Sequence, residues 1–150
     1  MTQNITIIIH DDHWKGLAPT VRRAVEAALA HRKVKKVALT IVLSNDAEVK
    51  TLNRDYRGKN KPTNVLSFPD GTVVDGVKQL GDIILAFETM AREAEEQKKK
   101  LKDHVTHLTI HGVLHLLGFD HEIEAEAKTM ERHEITILKR MGIANPYESA

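Results

Sequence analysis

The residues best placed to do chemistry are His111, His115 and His121, in the run HGVLHLLGFDH. Two imidazoles four residues apart on a helix stand one turn from each other on the same face, so both can turn toward one cation. Gly118, three residues after His115, can end that helix in a left-handed turn. The chain then reverses and lets His121 close on the same ion. Three neutral imidazoles, at metal–nitrogen distances of about 2.0–2.1 Å, suit Zn2+, and three protein ligands leave a position for water. Ordinary core or surface histidines would account for one such pair, and His107 with His111 forms another. They give no reason for Gly118 and His121 to stand at the offsets a third ligand needs.

The same spacing frames a class of zinc metalloproteases in which a glutamate general base follows the first histidine. Here that position is Gly112. Glycine cannot take a proton from water, so ordinary proteolysis is disfavoured. Hydrolysis as a class survives, because a metal lowers the pKa of bound water to about 7 and polarises a substrate oxygen. Either another acid serves (Asp120, Glu122 or Glu131) or the substrate needs less help from a base.

Arg57 is open to two readings. A guanidinium presents a fork of donors matched to phosphoryl oxygens that gain charge when a phosphate ester is cleaved. An exposed arginine at a helix C-terminus is also favoured simply by the helix dipole. Basic residues gather at Arg22, Arg23, Arg32, Lys33, Lys35 and Lys36, at Arg54, Arg57, Lys59 and Lys61, and at Lys98, Lys99, Lys100 and Lys102. Three such clusters can form one basic face, although the formal net charge is only +1. Ser67 carries no chemistry in this reading.

The elements that must hold these residues follow from periodicity. Residues 4–9 are β-branched and read as a buried strand, followed by a helix from about Pro19 to Arg32 and a second strand from Val37 to Leu43. Asn45 with Glu48 resembles a capping box opening a helix with Val49, Leu52 and Tyr56 on its apolar side. Residues 58–62 form a loop into a strand from Asn64 to Phe68. Residues 69–79, with Asp70-Gly71 and Asp75-Gly76, read as an exposed excursion before a strand from Ile83 to Phe87. A helix from about Glu88, a break near Lys100 to Asp103, and the histidine helix come next. That helix carries Val105, Leu108, Leu114, Leu116 and Leu117, with His104, His107, His111 and His115 sharing a face. A last amphipathic helix places Ile123, Ala127, Met130, Ile137, Leu138 and Met141 on one side and stops at Gly142. The expectation is an α+β (mixed α/β) fold: one four-stranded, mostly parallel mixed sheet, about five helices, and the metal-binding helix in the core, zincin-like.

With 150 residues, one domain spanning 1–150 and burying roughly 70% of its unfolded surface is expected. Hydrophobic residues at 41% and charged residues at 29% are those of an ordinary globular protein, so composition gives class and not function. No cysteine is present, which excludes disulfides and thiolate metal sites; any zinc is held by nitrogen and oxygen. Neither a signal-peptide pattern nor an apolar run near the roughly 18 residues of a membrane span occurs, so a cytoplasmic protein without a membrane partner is expected.

The histidine run, together with LNRDYRGKNKPTNVLSFP from Leu52 and LGDI from Leu80, resembles the YbeY family of bacterial rRNA-maturation endoribonucleases over nearly the full length. The resemblance implies a single-strand-specific, zinc-dependent endoribonuclease acting in small-subunit (16S) rRNA 3′-end maturation and ribosome quality control. It places the metal ligands on His111, His115 and His121 and a functional arginine on Arg57. It also implies RNA, ribosomal proteins and an assembly GTPase as partners of a chain expected to be monomeric. One departure stands out: Asn64 occupies a position where the family usually has aspartate. Two other functions remain open on the residues alone. One is a metalloprotease or amidohydrolase drawing its base from elsewhere, and the other is a non-enzymatic ribosome-assembly factor with structural zinc.

Overall fold

Alternation along β2 (Val37–Ser44) divides the molecule into layers. Val37, Leu39, Ile41 and Leu43 are buried on one face, while Ala38, Thr40 and Val42 are only partly covered on the other. A computed structural model describes residues 3–119 and 123–148. β1 (Gln3–Ile9) and β5 (Val77–Ala86) flank β2 in parallel, and β3 (Val65–Pro69) runs antiparallel along the far side of β5. The order is β1-β2-β5-β3, with the two-residue β4 (Val73–Val74) also paired to β5.

The described sheet thus has five strands where the sequence suggested four, and β5 begins at Val77 instead of Ile83. Val73 and Val74 pair with Lys78 and Val77 across Asp75 and Gly76, both of positive φ. An Asp-Gly pair with both residues left-handed is the tight turn whose twist matches a hairpin. The turn chemistry at this site was legible, but its role in pairing two strands was not.

The connection between parallel β1 and β2 places α1 (Ala18–His31) on one face of the sheet, and the one from β2 to β3 places α2 (Asp46–Arg57) on the other. Val49 and Leu52 of α2 pack with Leu66, Phe68, Ile84 and Val42 in the smaller cluster. The larger core joins Val21, Ala24, Val25, Ala28 and Leu29 of α1 to Leu39, Ile41, Ile83 and Leu85 of the sheet. Into it run α3 (Phe87–Glu96), α4 (Leu101–Leu116) and α5 (Glu124–Arg140). The break between α3 and α4 falls at residues 97–100, a little before its expected place.

From His104 to Ile110 every residue of α4 is buried, as are Gly112, Val113, Leu114 and Leu116. A helix apolar around most of its circumference belongs inside a molecule, which is where the histidine helix was expected. Trp14 is also wholly buried, and its indole N–H donates to the Ser44 carbonyl at 2.7 Å. Among the described residues no helix is long and apolar enough to cross a membrane.

Candidate active site

Termination of α4 sets the histidine geometry. Gly118 has φ of 104°; its N–H donates to the His115 carbonyl, and the Phe119 N–H donates to Leu114. That pair of bonds is the Schellman arrangement, which satisfies the last carbonyls and turns the chain away from the helix axis. His111 and His115 lie one turn apart and half-buried, while their neighbours Gly112, Leu114 and Leu116 face the interior. Asp120, His121 and Glu122, the third expected ligand and two candidate bases, lie outside the described residues.

Arg57 arrives from the opposite side. It is the last residue of α2, which ends in a left-handed Gly58 whose N–H donates to Arg54. Asn53 is buried beneath it and donates to the Lys61 carbonyl at 2.9 Å, pinning the 58–62 loop back on the helix. Arg57, Thr63, Asn64, Val65 and Ser67 then line one open cavity of about 150 Å³ together with His111 and His115. Three elements distant in sequence, the α2 end, β3 and α4, meet there. A larger cavity of about 430 Å³ lies between the α3–α4 turn and the C-terminal segment, and neither Arg57 nor His111 lines it.

Gly112 does not face this cavity. A Cβ placed there would sit 3.2–3.5 Å from the Ile83 side chain, so the position points into the sheet. The missing protease glutamate is thus more than an absent carboxylate: its side chain would meet the core before it met a metal.

Each of the other α4 histidines on the shared face is tied to a carboxylate. His104 Nε2 lies 3.0 Å from Glu93 Oε1, and His107 Nε2 lies 2.5 Å from Glu134 Oε1. His111 Nδ1 lies 2.9 Å from Glu134 Oε2, and the Tyr147 hydroxyl donates to Glu134 Oε1 at 2.5 Å. Glu134 is fully buried. Burial pushes its carboxyl up, but the bonds from His107, His111 and Tyr147 outweigh this and hold it down to about 2. Burial and the neighbouring Glu134 both push the Tyr147 phenol up. His104 is pushed down by burial, against the opposing pull of Glu93. The Nδ1 atoms of His104 and His107 are buried without a partner. This fits rings that donate through Nε2 and leave only an acceptor unsatisfied.

The family profile described as Endoribonuclease YbeY matches residues 4–142. The chain belongs to the YbeY family. Proteins named Endoribonuclease YbeY are 56% identical over 117 residues in Paramagnetospirillum magneticum, covering 74% of this chain and 71% of the relative. In Parvibaculum lavamentivorans the identity is 51% over 139 residues, with 85% and 75% covered. In Azorhizobium caulinodans it is 42% over 151 residues, with 95% of each covered. The solution structure of TM1509 from Thermotoga maritima superposes with a TM-score of 0.62 at 22% identity, covering 92% of this chain and 91% of that one, which shows a shared fold.

Membership in the YbeY family was legible from the motifs, whereas Glu134, Glu93 and Tyr147 were missed. One signal for Glu134 was present. It falls four residues after Met130 and three before Ile137, a carboxylate on the apolar stripe of α5. Such a residue needs a buried partner.

Among the described residues no group of three or more His, Asp or Glu is placed to hold a metal ion. The two described imidazoles still suit one. Glu134 engages Nδ1 of His111, so in the neutral ring Nε2 carries the lone pair, and neutral imidazole nitrogen is a good donor to Zn2+ and its neighbours in the transition series.

Proposed function

We propose that this chain is a single-strand-specific, metal-dependent endoribonuclease acting in small-subunit (16S) rRNA 3′-end maturation and ribosome quality control. His111, His115 and His121 would hold one Zn2+, and Arg57 would bind the phosphate to be cleaved. The observation that carries this reading is the convergence of Arg57, His111 and His115 on one open cavity. A bound metal would supply Lewis acidity and a water of lowered pKa.

The chain's own residues do the rest. Arg57 offers paired N–H donors to the non-bridging phosphate oxygens, where negative charge grows as the phosphodiester opens. Exposed Arg54, Lys59 and Lys61 surround it and draw in the flanking backbone. At about 150 Å³ the cavity is too small to enclose a drug-sized ligand, for which roughly 300–1,000 Å³ is usual, and its openness suits a strand laid across it. Gly112, facing Ile83, speaks against the peptidase alternative.

The family resemblance supports further expectations: one working domain over 1–150, a monomer in the cytoplasm, and contacts with ribosomal proteins and an assembly GTPase. The decisive experiment is cleavage of single-stranded RNA by purified protein with Zn2+ or a chelator, alongside Arg57→Ala and His111→Ala. Chelation and His111→Ala should abolish cleavage, and Arg57→Ala should lower it about 100- to 1,000-fold, while the circular dichroism spectrum stays native. Undiminished cleavage by either folded variant, with contaminating nuclease excluded, refutes the reading.

A further inference from the structure

We infer that Glu134 is a positioning residue of the metal site, which orients His111 and fixes the tautomer that presents Nε2 to the ion. The inference rests on the proposed role of His111 as a ligand and adds a residue that motif and spacing do not reveal.

The geometry is specific. Glu134 Oε2 accepts from His111 Nδ1 at 2.9 Å, while Oε1 is held by His107 Nε2 at 2.5 Å and by the Tyr147 hydroxyl at 2.5 Å. One buried carboxylate from α5 thus fastens two successive turns of α4 and the C-terminal segment together. A carboxylate accepts and cannot donate, so His111 donates from Nδ1, and when the ring is neutral its lone pair lies on Nε2. Metal-bound histidines are commonly ordered this way, and losing the outer partner lowers metal affinity by about 10- to 100-fold. The carboxylate is rigidly placed, being buried by packing that includes Met130, Ile137 and Leu138 on the same helix.

Glutamine at this position offers one oxygen and one NH2 to three donors, so at least one contact becomes donor against donor. If the NH2 faces His111, the ring is driven to carry its proton on Nε2, the nitrogen a metal needs. Zn2+ alone, titrated in competition with a chromophoric chelator, should therefore bind Glu134→Gln about 10- to 100-fold more weakly than the native protein. Tyr147→Phe, which leaves Oε2 untouched, should change affinity by less. Nitrogen-15 imidazole spectra of the metal-free native protein should show the neutral His111 ring protonated on Nδ1.

Zinc binding by folded Glu134→Gln within about twofold of native overturns the inference, as does a native His111 protonated on Nε2. Should Glu134→Gln fail to fold, the native tautomer alone decides. His111→Ala, measured in parallel, separates the two levels. Native zinc affinity in that variant refutes the metal site itself, whereas loss there with retention in Glu134→Gln refutes only the part assigned to Glu134.

Discussion

Asn64 Nδ2 lies 3.0 Å from Glu93 Oε1, and the same oxygen lies 3.0 Å from His104 Nε2. The amide therefore ties the approach to β3 to α3, while His104 ties α3 to α4; of these residues Asn64 lines the cavity that Arg57 and His111 share. The amide at position 64 has a local consequence: where two carboxylates would repel, Asn64 donates and Glu93 accepts. Asn64 thus serves the packing of β3 on α3, with its NH2 directed at the Glu93 carboxylate.

Asn64→Asp should destabilise the protein at neutral pH and recover part of the loss on acidification. The substitution replaces a donor with a second negative charge, and losing one half-buried hydrogen bond typically costs about 1 kcal/mol before repulsion is added. As pH falls through the carboxylate range, a proton shared between the two acids restores a donor. Urea midpoints at pH 7 and pH 5 measure it; a variant as stable as native at both would mean the Asn64–Glu93 contact contributes nothing.

Gly112→Ala and Gly112→Glu should diverge sharply. The added methyl would lie 3.2 Å from Ile83 Cδ1, a tight contact. Overpacking of this kind costs about 1–3 kcal/mol, while replacing glycine in a helix interior returns about 0.5–1 kcal/mol. Alanine should therefore lower stability modestly, and less so in an Ile83→Val background that yields space. Glutamate should unfold the protein or strongly destabilise it, because it drives a charge into the sheet–helix core. It should also create no peptidase activity, since the side chain points away from the cavity. Peptide hydrolysis by a folded Gly112→Glu variant would show that this reading of the position is mistaken.

Legibility in the sequence divides along physical lines. Periodicity set by core burial was readable: α1, β2, α4 and α5 stand close to where their apolar residues placed them, and Gly118 ends α4 in the left-handed turn expected of it. Asn45 caps α2 by accepting from the Glu48 N–H at 2.9 Å, as the capping pattern suggested. The Glu48 side chain, however, is engaged by Ser44 and by His10, so the box is only half closed. What escaped notice depends on three-dimensional pairing. The β4–β5 hairpin is four residues of valine and lysine around a turn, too short for alternation to register. The histidine–carboxylate pairs join α4 to residues on α3 and α5, and no spacing rule spans them. Arg57 was singled out by motif, and its place beside His111 follows from β3 lying between α2 and α4, which sequence order alone leaves undetermined.

Acid should loosen the contact between α1 and α5. His31 Nε2 lies 2.9 Å from His133 Nδ1, and Arg140 donates to His31 Nδ1 at 3.1 Å, so the neutral His31 ring donates its Nε2–H to the Nδ1 of a neutral His133. Burial lowers both imidazoles, with added push from His133 and Arg140 on His31 and from Arg32 on His133. With folded values below the unfolded 6.5, the unfolded chain binds more protons in the window beneath 6.5. Stability is then complete above that pH and falls as pH drops through the window. His133→Gln, which keeps an acceptor for His31 without titrating, should flatten this limb in urea unfolding between pH 7.5 and 5.5. An equal fall in native and variant would place the acid sensitivity elsewhere.

Arg57 should divide binding from cleavage. It is exposed at the end of α2, so replacing it leaves the core intact, and a change in RNA affinity is expected to be that of a single lost phosphate contact. Its larger effect falls on the transition state, where charge on the phosphoryl oxygens exceeds that of the bound strand. Removing one preorganised donor group of this kind lowers kcat by about 100- to 1,000-fold. Arg57→Ala should therefore reduce single-turnover cleavage by that order while the Kd for an uncleavable RNA changes by less than about tenfold. Arg57→Lys restores the charge without the planar fork and should recover affinity more fully than rate. If lysine restores both equally, Arg57 acts only as a point charge that attracts the strand; if alanine weakens binding and rate by the same factor, the residue gives uniform binding and no transition-state preference.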